Sequence, residues 1–508
     1  MTVRELLHAI DHLLPGDARA VLTAPALAEV CSGVTHDSRM VTPGSVFVAL
    51  QGLRTDGAAF VPQAVDAGAA AIVATATPTP AARAVPWVQV SDARLALALL
   101  AAEFNGHPGR AMKVVGVTGT NGKTTTAYLV RAIFEAAGVT CGLMGTVAYC
   151  IGDRVIEAAR TTPEAPEVQG LLRQMRDEGC GACVMEVSSH ALALRRADGL
   201  PFAAGVFTNL TRDHLDFHGT MEGYFAAKRR LFELLPREAP AVINLDDPRG
   251  ATLAEMVGTS VTFAINRPAD VTPGPLSFSL DGLTFDARTP QGIVHVRSSL
   301  VGRPNVYNIL GAIGVTAALG VPVAAIERGI AALRGVPGRF EVVSGRGDDI
   351  TVVVDYAHTD DALRNLLETA RSLASRRLIT VVGAGGDRDK TKRPLMGLVA
   401  ARLSDVVVVT SDNPRGEDPL QIIEEVMRGA ESEARQSNAR AITMVDRREA
   451  IEYAVAQAKP GDVVLIAGKG HEKYQVIGGV THPFDDVAIA RSALGARRQT
   501  PGIGQVVG

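Results

Sequence analysis

A chain of 508 residues is longer than one hydrophobic core usually supports, so about three domains of ordinary size are expected. Hydrophobic residues at 47% and charged residues at 21% give the balance of a folded globular protein, which argues against disorder. A net charge of −3 over this length provides no cationic face for nucleic acid or an anionic membrane.

The opening MTVRELLHAIDHLL is amphipathic with charges throughout, unlike a signal peptide, and no run reaches the roughly 18 apolar residues of a spanning helix. Five cysteines, an odd number, indicate free thiols in a reducing compartment, so a cytoplasmic location is expected; the chain is taken to be a monomer, which the cysteines do not decide. Residues 1–109 read as a small α/β unit, with GSVFVAL and AAAIVATA as strands and RLALALLAAEF as a helix. Asn105–Lys113, NGHPGRAMK, is a polar joint punctuated by Gly and Pro.

In residues 110–335 the strand-like runs KVVGV, CVMEV, AAGVFTNL and APAVINL alternate with helical segments, the order of a mostly parallel sheet covered by helices. Cys180 and Cys183 have redox or zinc-ligand spacing, but no second pair accompanies them and Cys183 opens a strand, so two ordinary buried thiols are expected. The stretch LSFSLDGLTFDA carries an Asp281-Gly282 hairpin turn and is predicted to add antiparallel strands to the same sheet.

Leu333–Glu341, LRGVPGRFE, is a second joint. Beyond it, residues 336–495 contain DITVVVDYAH, RLITVVGAGG, DVVVVTSDN, AITMVD and DVVLIAGKG, five apolar strands with helix-length spacers, which predict a Rossmann-like doubly wound sheet. Polar clusters follow the carboxyl ends of these strands, where such sheets bind ligands: Asp355–His358, Gly385–Arg388, Asp412–Arg415 and Gly468–Glu472. Residues 496–508 read as a flexible tail.

Val114–Val130, VVGVTGTNGKTTTAYLV, passes from a β-branched run through a glycine turn into a helix, as a phosphate-binding loop does. Its spacing departs from the generic pattern, which would place glycine where Val117 stands. Lys123 supplies a point charge for β- and γ-phosphate oxygens, and Thr124 a hydroxyl for magnesium. Glu186 ends the apolar run CVMEV, where a metal-bearing carboxylate is wanted, and TNLTRDHLDFHG sets His214 and His218 around Asp213 and Asp216.

TGTNGKTTT, MEVSSHAL, FTNLTRDHLDFHGTMEGYFAAKRRLF, GRPNVYNILGA, PGRFE and DYAHTDDAL together resemble the Mur ligase family, the ATP-dependent enzymes that add amino acids to peptidoglycan precursors. The resemblance runs in order from about Thr35 to Asp485, and the displaced glycine is this family's form of the loop. It implies an acyl phosphate formed from a substrate carboxylate and ATP, then displacement of phosphate by an amine.

By position the resemblance implies an ATP site at Gly119, Thr120, Asn121, Gly122, Lys123, Thr124 and Thr125, joined by Asn305, Asn308, Arg339 and Asp355. It implies magnesium at Thr124 and Glu186, a second metal site that includes His214, and a carbamylated Lys228, whose residues alone would read as a solvated helix lysine. An ammonium cannot ligate a metal, whereas a carbamate offers an anionic oxygen.

The N-terminal THDSRMVTPGSVFVALQGLRTDGAAF resembles the uridine-nucleotide domain of members that add the third peptide residue, which implies contacts from His36, Ser38, Leu53, Arg54 and Thr55. Thr161, Thr162, Ser189 and Arg196 fall where those members hold the muramoyl dipeptide; Leu194 replaces a glutamine common there. Asp412-Asn413-Pro414-Arg415 matches the diaminopimelate-adding signature, with Arg388, Gly468 and Glu472 completing it. The distal carboxylate of diaminopimelate needs a forked cation, which Arg415 supplies, and its ammonium needs an acid. The implied substrates are UDP-MurNAc-L-Ala-D-Glu, meso-diaminopimelate and ATP. Lysine or ornithine addition, folylpolyglutamate synthesis, an ATP-driven switch and a catalytically silent binding protein are the alternatives.

Overall fold

The structure, a computed structural model, describes the chain except residues 17, 53–54, 79–84, 346 and 500–508. Strands β1 (Gly33–Thr35), β2 (Ser45–Ala49), β3 (Ala71–Ala74) and β4 (Trp87–Gln89) form a parallel sheet in that order. Asp92 caps the helix Ala93–Phe104 by accepting from Leu95 N, and Ala96, Leu97 and Leu100 pack that helix on the sheet.

A central sheet of eight strands is ordered β12-β11-β10-β5-β9-β6-β7-β8. Its members are β5 (Lys113–Thr118), β6 (Cys141–Met144), β7 (Ala148–Ile151), β8 (Arg154–Glu157), β9 (Ala182–Glu186), β10 (Phe202–Phe207), β11 (Ala241–Asn244) and β12 (Ser260–Phe263). All pairs are parallel except β6–β7 and β7–β8. Because β5 lies between β9 and β10, the segments after Thr118, Glu186 and Phe207 emerge side by side at one crevice. Cys180 and Cys183 are buried and free, as are the other three cysteines.

The Asp281-Gly282 hairpin does not extend the central sheet. It forms a separate antiparallel sheet from β13 (Thr272–Pro273), β14 (Ser277–Ser279), β15 (Gly282–Thr289) and β16 (Gly292–Ser298). Leu283, Phe285, Ala287, Val294 and Val296 turn inward and share a core with Ile326 and Ile330 of the helix Val323–Ala332, whereas Phe278 and Leu280 face solvent. Inward packing on a helix thus decided the placement, and the central sheet takes its antiparallel strands from β7 and β8.

The last large sheet is ordered β17-β18-β22-β19-β20-β21. It comprises β17 (Glu341–Val342), β18 (Thr351–Asp355), β19 (Leu378–Val382), β20 (Val406–Val409), β21 (Arg440–Thr443) and β22 (Val463–Ala467), with β17 alone antiparallel. A hairpin of β23 (Tyr474–Ile477) and β24 (Val480–Pro483) follows. The helix Asp486–Gln499 continues through residues expected to be tail, and residues 500–508 lie outside the described part. No helix among the described residues is long and apolar enough to cross a membrane.

Arg447 and Asp486, each fully buried, pair through bonds of 2.9 and 2.7 Å, and Arg447 Nη2 also donates to Ala467 O at the end of β22. Arg447→Met would strand the Asp486 carboxylate in a dry core. It is expected to cost about 3–5 kcal/mol, read as a lowered denaturation midpoint; a loss under about 1 kcal/mol would deny the pair that role.

Candidate active site

The loop between β5 and the helix Lys123–Ala136 is shaped by two glycines at positive φ. A Cβ on Gly119 would stand 1.9 Å from Thr208 Oγ1, and one on Gly122 would stand 2.3 Å from Asn308 Oδ1. Only glycine lets the loop lie this close to both neighbours. Lys123 folds back to donate to the Gly119 and Thr120 carbonyls, at 3.0 and 2.8 Å.

Thr124 Oγ1 donates to Glu186 Oε2 at 2.9 Å, and Glu186, though 1% exposed, is satisfied at both oxygens by Thr146 N at 2.7 Å and Thr146 Oγ1 at 3.0 Å. Arg339, from the joint that precedes the last sheet, reaches across to donate to Thr124 Oγ1 at 3.2 Å while stacking over Tyr356. Asp355 accepts from Phe340 N and Ala357 N, which fixes that joint. Asn308 Nδ2 donates to Asn305 Oδ1, and both side chains line the same cavity as the loop.

Lys228 lies on the buried face of the helix Met221–Glu233 with Tyr224, Phe225, Leu231 and Phe232. It is 1% exposed and donates to Gly119 O at 2.6 Å from behind the loop, on neither cavity wall. Burial, reinforced by the Lys123 charge, holds Lys228 well below the ordinary lysine range. Burial also lowers His214, whose ring meets His190 edge-on at 4.8 Å and whose Nε2 is 3.4 Å from Asp213 Oδ2. His218 turns instead to Ser189 Oγ, at 2.9 Å. Among the described residues no group of three or more His, Cys, Asp or Glu could hold a metal by itself.

Two cavities, of ≈300 and ≈430 Å³, adjoin along a common wall of Thr161, Ser188, Asp213, His214, Tyr356 and His358. The first holds the glycine loop, Thr124, Glu186, Asn305, Asn308, Arg339 and Asp355. The second brings together Thr162, Arg196, Arg388, Asp412, Asn413, Arg415, Gly468 and Glu472. Arg196 is anchored by Glu164 at 2.7 Å and Thr162 O at 3.2 Å. Arg415 donates one nitrogen to Gly386 O at 2.8 Å.

Lys469, fully buried and not singled out from sequence, bridges Asp412, Asn413 and Glu472. Burial, and next the Asp412 charge, raises Glu472. His36, Ser38 and Thr55 lie with the first sheet on neither cavity; Ser38 donates to Gln63 Oε1, and Leu53 and Arg54 are outside the described residues. Thr146, His190, His358 and Lys392 also line the site; His358 ends one of the polar clusters and His190 lies in MEVSSHAL, whereas Thr146 and Lys392 were not singled out from sequence.

His471 packs on Tyr356 at 5.0 Å with a buried, unpaired Nδ1, and burial, then Arg339, pushes its pKa down to about 3. The unfolded chain protonates this ring near ~6.5 while the folded one resists to about 3, so stability falls as pH drops through that window. His471→Gln should flatten the slope of unfolding free energy between about pH 7 and pH 5; an unchanged slope would contradict a neutral His471.

Residues 30–105 match the family described as Mur ligase family, catalytic domain; residues 117–316 match the Mur ligase middle domain, and residues 338–470 the Mur ligase glutamate ligase domain. The UDP-N-acetylmuramoyl-L-alanyl-D-glutamate–2,6-diaminopimelate ligase of Geobacter metallireducens is 47% identical over 93% of this chain and 96% of its own. That of Gloeobacter violaceus is 48% identical over 92% and 94%. A solved ligase of the same description superposes with a TM-score of 0.68 at 34% identity, covering 98% of this chain and all of the other. MurF ligase from Thermotoga maritima in complex with ADP shares the fold, with a TM-score of 0.63 at 22% identity over 91% and 98% of the two chains. With relatives at this identity over nearly its whole length, the chain belongs to the Mur ligase family.

Proposed function

We propose that this chain is the ATP-dependent ligase that joins meso-2,6-diaminopimelate to the D-Glu γ-carboxylate of UDP-MurNAc-L-Ala-D-Glu through an acyl phosphate, in cytoplasmic peptidoglycan precursor synthesis. The observation that carries this reading is the common wall of two cavities, one holding a triphosphate loop and the other Arg388, Arg415 and Glu472. Residues 1–109 take the uridine nucleotide, 110–335 the ATP, and 336–495 the amino acid.

On the nucleotide side, Lys123 leaves the Gly119 and Thr120 carbonyls for the phosphates, and Arg339 adds a second cation from across the joint. Asn305, Asn308 and the loop amides position the rest of the nucleotide. Thr124 and Glu186 would suit magnesium, which takes hard oxygens and keeps several waters. Bound there, the metal neutralises charge between two anions that would otherwise repel. Lys228, held well below the ordinary lysine range by burial and the Lys123 charge, is the amine suited to take up carbon dioxide and would then offer an anionic oxygen, and His214 on the common wall would hold the second metal.

On the acceptor side, Thr161, Thr162, Ser189 and Arg196 hold the dipeptide. Arg415 uses one nitrogen on Gly386 O, which fixes the fork and leaves its other donors for the distal carboxylate. Glu472, oriented by Asn413 and Lys469, receives the distal ammonium. Lysine and ornithine offer no distal carboxylate to the remaining donors of Arg415.

ADP release measured with magnesium, ATP and the nucleotide dipeptide should rise with meso-diaminopimelate and yield a tripeptide mass, and stay near background with lysine, ornithine or no amine. Turnover indifferent to every amine would favour an ATP-driven switch. Arg415→Ala should raise KM for diaminopimelate about 10- to 100-fold, from ~1.5–3 kcal/mol per charge-assisted bond, and leave KM for ATP unchanged. A KM for diaminopimelate equal to the parent's would remove Arg415 from the pocket.

A further inference from the structure

Lys392 opens the helix Lys392–Leu403 and lines the acceptor-side cavity beside Asp213, His214, His358 and Asp412. Its side chain is 8% exposed, yet among the described residues its ammonium has neither a hydrogen-bond acceptor nor a carboxylate at ion-pair distance. The other buried lysines are paired: Lys228 donates to Gly119 O, and Lys469 to Asp412, Asn413 and Glu472. The stem is buried while the ammonium opens onto the cavity, so its partner is whatever fills that cavity, and an anionic ligand there would complete it.

Its position is set by contact between units. Thr391, the residue before Lys392, accepts from Arg212 Nη1 at 3.2 Å, and Arg212 Nη2 pairs with Asp360 at 3.1 Å. Arg212 belongs to the segment after β10 that also carries Asp213 and His214, so the same contact that closes the seam carries the Lys392 ammonium toward the common wall. The partial positive charge at the start of this 12-residue helix adds to that of Lys392. Asp213, Asp389 and Asp412 surround the ammonium at longer range, with Arg388 opposing them.

We propose that Lys392 is a catalytic residue of the ligation, pairing with the acceptor-carboxylate oxygen that remains on carbon throughout the reaction. This rests on the ligase reading above. One carboxylate oxygen attacks the γ-phosphorus and ADP leaves; the other becomes the acyl-phosphate carbonyl. When the amine lone pair forms the C–N bond, the carbonyl π pair moves onto that second oxygen. The pair then returns, the C–O bond to phosphorus breaks, and phosphate departs with the proton lost by the amine. The charge opposite Lys392 is greatest at the tetrahedral stage, so the interaction favours the transition state over bound substrates.

The test compares parent enzyme, Lys392→Met and Lys392→Arg in tripeptide formation, together with ADP binding and unfolding midpoint. Lys392→Met should lower kcat by ~10²–10³-fold with KM for ATP and diaminopimelate within about threefold of parent. Lys392→Arg should recover roughly a tenth or more of the parent rate, because it keeps the charge but not the point geometry. A kcat for Lys392→Met within about threefold of parent, or a loss confined to KM for diaminopimelate, overturns the proposal while the ligase reading stands. A parent enzyme that makes no tripeptide overturns the ligase reading and this proposal with it. If Lys392→Met does not bind ADP, Lys392→Gln replaces it under the same criteria.

Discussion

Lys123 and Lys228 both donate to one acceptor, the carbonyl oxygen of Gly119, at 3.0 and 2.6 Å. Two ammonium groups on one carbonyl repel each other, which favours a nearby anion or loss of a proton from the more buried of the two. Burial lowers both, and Lys228, the more enclosed, is also lowered by its neighbour's charge. The surroundings follow from this imbalance. Glu186 is buried opposite and fully hydrogen-bonded, and Arg339, beside Asp355, adds a further cation to a wall suited to a polyanionic ligand. A triphosphate meeting a carboxylate is such a ligand.

The site is divided between two sheets, and the division has a chemical use. Asn121 of the glycine loop donates to Asp361 at 3.0 Å, and Arg212 pairs with Asp360, so the start of the helix Asp360–Leu373 lies against the phosphate loop. Arg339, Asp355, Tyr356 and His358 enter the nucleotide cavity from the same side. An acyl phosphate is readily hydrolysed, and walls drawn from both units surround the place where it would form.

Local features were readable in the sequence. The β-branched run, the glycines and Lys123-Thr124 specify a strand, a loop and a helix start within a few residues of one another, and Glu186 sits where an apolar strand ends. The sheets were legible for the same reason, since their central strands are apolar runs of nearly uniform burial. What depended on packing between distant segments was harder to read. Lys228 shares a helical face with Tyr224, Phe225, Leu231 and Phe232, a spacing that does place it inward, but without the family resemblance a lysine there reads as solvated. Lys392 likewise shares a helical face with the buried Met396 and Val399, but a lysine opening a helix reads as solvated, and the Asp281-Gly282 turn identified its hairpin without identifying which surface the hairpin covers.

Lys228, its pKa lowered by burial and by Lys123, is the group whose chemical state most directly decides how charge is balanced at the loop. Carbon-13 NMR of the enzyme equilibrated with labelled bicarbonate and magnesium tests it, with Lys228→Met as the comparison. The prediction is a slowly exchanging carbamate resonance in the parent that Lys228→Met lacks, with activity lost on removal of carbon dioxide and regained on its return. No resonance in the parent, or one of equal intensity in Lys228→Met, would contradict carbamylation at Lys228.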